Sequence, residues 1–157
     1  AICLETNTPV AVIDWLLSYE WEVPLYLDPV SNHLATRIQP HLGRFHTVKA
    51  NRRQAEVLSG QRVLNIDDMK KAAAKIMDKG VQRVFITLGS QGAFAADHKQ
   101  SVHLAAAKVT VANTTGAGDA FHAGVLWASR RKWSLEDCCR AGLAASTVAL
   151  RMRCTPR

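Results

Sequence analysis

Aromatic residues are scarce in this chain, at 6% of 157 residues. Surfaces that stack nucleic-acid bases interleave aromatics with positive charge, so a formal charge of +7 does not by itself indicate a nucleic-acid partner. The 20 Lys and Arg residues are scattered, with short clusters at Arg52-Arg53, at Arg130-Arg131-Lys132 and across Arg151, Arg153 and Arg157. Solvated helix ends are the plainer reading of such clusters, and a positive field suits an anionic small molecule equally well. Nowhere do ~18 apolar residues run together, so no helical membrane span is expected. The opening AICLETNTPV lacks the basic segment and apolar run of a signal peptide, and it lacks an initiator Met.

Cys3, Cys138, Cys139 and Cys154 form no CxxC pair and no zinc-ligand spacing. The adjacent Cys138 and Cys139 are too close for a relaxed disulfide, so reduced thiols in a cytoplasmic protein are expected. The six histidines give neither HExxH nor an i,i+4 pair, and each is expected to be a surface or packing residue. Disorder is excluded by the 48% of apolar residues against 21% charged. The length suits one domain, large enough for a substantial core.

What is present is an alternation of strand and helix. Residues 1–4 read as a strand; Thr8 and Pro9 then cap a helix over 9–19 with Val10, Ile13 and Leu17 on one face. VPLYL at 23–27 reads as a buried strand ending at Asp28-Pro29. A helix over 33–38, a strand over 47–49 and a helix from Arg52 to the stop at Ser59-Gly60 follow. Asn65 caps the next helix, whose buried face carries Ile66, Met69, Ala73, Ile76 and Met77, and Gly80 is placed as its C′ residue. RVFIT at 83–87 is a strand; strands over 93–96, 102–105 and 109–112 come after the glycine turn at 88–92. Helices are expected over 117–129 and from Ser134, where Ser134 and Asp137 give an [ST]xx[DE] start. The pattern predicts an α/β fold with a mostly parallel sheet between helical layers and antiparallel strands at one edge.

The sharpest feature is VTVANTTGAGDAFHAG at 109–124. Glycines just before a helix let backbone N–H groups converge, and the helix N-terminus adds partial positive charge, so the turn suits an anion. A dinucleotide fingerprint would need glycine where Phe121 stands. A P-loop would need a lysine after the glycines, and none follows. The plainer alternative is a turn in which Asp119 merely complements the helix dipole. A carboxylate beside an anion hole is also what phosphoryl transfer to an alcohol requires, one group accepting the proton and the other neutralising the phosphoryl charge.

TTGAGDAF at 114–121 resembles the second signature of the PfkB, or ribokinase-like, family of sugar and nucleoside kinases. LETN at 4–7, DPVS at 28–31, KANRRQAEVLSG at 49–60 and VFITLGSQGAF at 84–94 agree in order with the same family, and the combination most resembles its pseudouridine kinase branch. The resemblance covers essentially the whole chain. It implies a three-layer αβα ribokinase-like sandwich in which ATP and an alcohol acceptor meet at the C-terminal edge of the sheet. It implies that Asp119 is the catalytic base and that Gly116, Ala117 and Gly118 form the anion hole. Thr87, Gly89 and Gly92 would lie against the ATP, Asn51 would organise Mg²⁺ through water, and Asn113 would lie near a site for a monovalent cation such as K⁺. Simpler roles are available: Thr87 suits any strand, Gly89 and Gly92 any hairpin, Asn51 a helix cap, and Asp28 before Pro29 a turn.

The sequence departs from this family in two ways. Its NxxE pattern reads Asn51-Arg52-Arg53-Gln54 here, so an amide stands where a carboxylate is expected near Mg²⁺. Glu56 falls elsewhere on the helix. The match also begins in mid-family: residues 1–157 are expected to be the C-terminal portion of one kinase domain, without its substrate-binding and lid half. That would leave a sheet edge open to self-association. The expected partners are ATP and a small sugar or nucleoside, with neither nucleic acid nor membrane. The alternative is a truncated, weakly active or inactive module that binds a nucleotide or a partner.

Overall fold

The computed structural model describes residues 1–152; Arg153, Cys154 and Arg157 lie outside them. Six strands form one sheet in the order β1-β2-β3-β4-β5-β6. Strands β1 (Ile2–Glu5), β2 (Leu25–Asp28), β3 (Thr47–Asn51) and β4 (Arg83–Thr87) run parallel. β5 (Ala93–Asp97) and β6 (Ser101–Leu104) add antiparallel at one edge. Parallel neighbours need long crossovers; here these contain helices α1 (Val10–Ser18), α2 (Asn32–Ile38), α3 (Arg52–Ser59) and α4 (Ile66–Met77). The last two helices, α5 (Ala117–Arg130) and α6 (Leu135–Arg151), follow β6.

Strand alternation divides the side chains into two layers. Leu4, Leu25, Leu27, Val48, Ala50, Val84 and Ile86 join Ile13, Leu17, Leu58, Met69 and Ile76 of α1, α3 and α4 in one buried cluster. On the other face Phe85, Ala93 and Ala95 pack against Phe121, Val125, Ala128 and Leu135 of α5 and α6. The three-layer αβα arrangement and its antiparallel edge are therefore as expected.

Local signals place most helix starts. Ser31, Asn51, Asn65 and Ser134 each accept a hydrogen bond from a backbone N–H of the following first turn. Four expectations fail. Pro9, not Thr8, stands at the N-cap of α1, with no side-chain cap hydrogen bond, and Ile66, expected on the buried face of α4, is exposed. Residues 109–112 form no strand: the N–H groups of Ala112 and Asn113 donate to the Leu150 carbonyl at 2.8 and 3.3 Å, replacing a ladder with a helix end. Helix α4 is closed by Asp78, and Gly80, with φ of 110°, lies two residues further on. Among the described residues, Cys3, Cys138 and Cys139 are free thiols. No helix among them is long and apolar enough to cross a membrane.

Candidate active site

Strand register brings polar residues to the carboxyl edge of the parallel sheet, where open α/β sheets hold their ligands. Glu5 pairs with Asp28, and Asn51 with Thr87, each at the last position of its strand. Helix α5 begins at the same edge. Gly116 stands before it with φ of 78°, a left-handed conformation that glycine adopts without a Cβ penalty. The turn leaves Asp119 exposed in the first helical turn.

Two cavities flank that turn. The larger, about 620 Å³, is lined by Thr87, Gly89, Gly92, Ala117 and Gly118, with Val109, Leu143 and Leu150 adding apolar wall. At Gly92, with φ of 96°, a Cβ would meet the Leu104 carbonyl oxygen at 1.9 Å, so this wall tolerates no side chain there. The smaller cavity, about 280 Å³, is lined by Cys3, Glu5, Asp28, Asp119 and His122. Consecutive residues of one helical turn thus face different spaces, Gly118 one and Asp119 the other.

A buried charge cluster lies beneath Asp119. Lys49 Nζ donates to Asp28 Oδ2 at 2.8 Å, and His122 Nδ1 lies 3.7 Å from the same oxygen. Lys49 also lies under the α5 turn: a Cβ on Gly118 would stand 3.0 Å from its Nζ. Burial penalises the Asp28 carboxylate, but His122 and Lys49 outweigh it and hold the carboxyl below its ordinary range. Burial likewise opposes charge on His122, yet Asp28 and Cys3 raise it to about 9. That shift favours the imidazolium form of the ring at neutral pH.

The expected site residues fall into three groups. Thr87, Gly89, Gly92, Ala117 and Gly118 share the larger cavity, with Gly116 at the entrance to α5. Asp119 lines the smaller one. Asn51 and Asn113 are engaged in local structure. Asn51 caps α3, its Oδ1 accepting from Gln54 N, and it borders a separate concavity that reaches the larger one only through Thr87. Asn113 Oδ1 accepts from Thr115 N at 3.0 Å. Gln54 is also committed: its Oε1 accepts from Asn51 N and its Nε2 donates to the Pro29 carbonyl. Neither Asn51 nor Gln54 offers a carboxylate to a divalent ion. Among the described residues no group of three or more His, Cys, Asp or Glu side chains is placed to share a metal.

Sequence reasoning missed Asp28, Lys49 and His122. Asp28 reads as a turn former before Pro29, and His122 as an ordinary packing residue. The available signal was spacing: His122 follows Asp119 by three residues, which places both on one helix face.

With this geometry established, comparison with known proteins is informative. The family model described as pfkB family carbohydrate kinase matches residues 16–155. Over 125 residues the chain is 34% identical to the pseudouridine kinase of Escherichia coli, covering 79% of this chain and 40% of that enzyme. A crystal structure of a Clostridium perfringens protein provisionally assigned as a sugar kinase superposes with a TM-score of 0.90 at 32% identity, over 96% of this chain and 48% of the other. Arabidopsis thaliana ribokinase, solved with ribose and ATP, shares the fold with a TM-score of 0.80 at 24% identity, over 96% of this chain and 49% of the ribokinase. The chain thus spans half or less of the length of each of these relatives.

Proposed function

The chain belongs to the pfkB family of carbohydrate kinases, and from that premise we propose that it is the C-terminal, nucleotide-side portion of a kinase domain that phosphorylates a sugar or a pseudouridine-like nucleoside. One observation carries this reading: the first turn of α5 separates two cavities, with Ala117 and Gly118 on one side and Asp119 on the other. The larger cavity suits ATP, because the space beside Gly89 is open to phosphates, Lys108 brings positive charge to the lining, and Val109, Val111, Leu143 and Leu150 give it an apolar part.

The acceptor hydroxyl would lie against Asp119, which takes its proton as the oxygen attacks the terminal phosphorus of ATP. The bond from that phosphorus to the bridging oxygen breaks, and ADP leaves. Backbone N–H groups of the 116–118 turn neutralise the charge on the transferring group, and positioning with charge stabilisation supplies most of the acceleration. Mg²⁺ would be held chiefly by the nucleotide phosphates, as is usual for this ion, and Asn51 contributes at most through water. By the family resemblance a monovalent cation such as K⁺ would lie near the turn containing Asn113.

The test is ADP release with Mg·ATP and pseudouridine, ribose or adenosine, measured beside Asp119→Asn. Turnover that the substitution abolishes supports the kinase. A second reading, a nucleotide- or partner-binding module without turnover, is favoured by Gln54 in place of a carboxylate. ATP binding with no turnover in either protein selects it. Strand β1 forms one edge of the sheet, and Trp15 of α1 and Tyr19 just after it are exposed; self-association through this edge would appear as a concentration-dependent sedimentation coefficient.

A further inference from the structure

Helix α5 is held in two different ways along its length. Phe121, Val125 and Ala128 anchor it by apolar packing toward β4 and β5, where Phe85, Ala93 and Ala95 lie. Toward β1, β2 and β3 it also makes polar contacts: His122 meets Asp28 and Cys3 beside the Tyr26 ring, and Gly118 sits over Lys49. Close packing on α6, where neither Gly124 nor Gly142 has room for a side chain, seats the body of the helix, and the polar side adds contacts at its first turn.

We infer that His122 is a positioning residue of this site: its ring, clasped between Asp28 and Cys3, ties α5 to β2 and fixes the first turn, and with it Asp119, against the sheet edge. Its importance for turnover rests on the kinase reading; the tether itself does not.

The geometry supports this in three ways. His122 is only 4% exposed, a depth at which a polar ring is costly unless it is partnered. Its partners come from the sheet, with Asp28 Oδ2 at 3.7 Å and Cys3 Sγ at 3.8 Å from Nδ1. Asp28 is itself pinned to β3 by Lys49 at 2.8 Å, so the ring leans on a fixed carboxylate. The titratable groups facing it are Cys3 and Glu5 from β1, Tyr26 and Asp28 from β2, Lys49 from β3 through Asp28, and Asp119 from its own helix. An ion pair of this kind lasts only while the ring keeps its proton, which gives the tether an alkaline limit.

The experiment is an NMR titration of the whole chain that follows the His122 ring together with the backbone amides of Gly118 and Asp119. The ring should titrate near 9 in the wild type and at its ordinary 6.5 or below in Asp28→Asn. The Gly118 and Asp119 amides should shift with the same midpoint, and that transition should vanish in His122→Gln. In the kinase assay kcat should fall about ten- to a hundredfold across the same midpoint, as a small misplacement of a reacting group would cause. KM for ATP should hold, and the alkaline limb should be missing in His122→Gln. A ring midpoint unmoved by Asp28→Asn, or first-turn amides indifferent to the ring's titration, overturns the inference. Should His122→Gln not fold, the wild-type and Asp28→Asn titrations decide. Absence of turnover at every pH counts against the kinase reading alone.

Discussion

The two faces of the sheet are built on different principles. Beneath α1, α2, α3 and α4 the strands present Leu, Val, Ile and Ala in one continuous apolar cluster. On the opposite face apolar packing centres on β4, β5, β6 and the two last helices, while β1, β2 and β3 present Cys3, Asp28 and Lys49 beside the buried Tyr26. Alternate residues of the same strands therefore do different work. A non-directional apolar layer stabilises the fold, and it leaves the other face free to hold buried charges in fixed geometry. Such charges are weak evidence for stability, since desolvation offsets much of their attraction. Their presence at one sheet edge is better read as chemistry.

This contrast can be broken experimentally, beginning with the largest effect. Asp119→Asn should lower kcat about 10²–10⁴-fold, the range for a general base, with the melting temperature nearly unchanged. Loss of fold instead would mean that the site face is structural. Leu27→Ala, on the apolar face, should lower stability by about 2–5 kcal/mol in denaturant titration, and ATP binding by the folded fraction should persist. Gln54→Glu should cost about 1–3 kcal/mol, because a carboxylate cannot donate to the Pro29 carbonyl. A stable variant with tighter Mg²⁺ dependence would instead support a metal role for that position.

The smallest effect expected is a drift of stability with pH. The folded-state value of His122 is raised, so its contribution is complete below about 6.5 and is lost as pH rises through about 9. Asp28 acts in the opposite sense: its contribution is present above 3.8 and is lost as pH falls through its depressed folded value. Melting temperatures across this range should therefore peak between the two limits. Replacing His122 by Gln should flatten the alkaline side.

Much of the fold could be read directly from the residues. RVFIT is a strand of the parallel sheet throughout, and VPLYL supplies one from Leu25 onward, with Val23 and Pro24 outside it. Asn65 and Ser134 cap helices because their side-chain oxygens serve the nearest unpaired N–H groups, a strictly local effect. The stretch 109–112 was misread because alternating apolar residues look like a strand whether or not a neighbour exists to pair with them; here the backbone turns to the end of α6. The glycine turn and Asp119 were legible since they are contiguous and their chemistry is local. Asp28, Lys49 and His122 were not, because each has a common explanation in isolation.

The sequence alone determined most of the strands and helices, the glycine turn before α5 and the carboxylate that follows it. These depend on backbone conformation, capping and apolar periodicity within a few residues. Only the tertiary structure decided that Gly118 and Asp119 face different cavities, and that a lysine and a histidine share one oxygen of Asp28 below them. Electrostatic interaction depends on distance through space and on burial. Strand register and helix packing set both, and no local pattern along the chain records them.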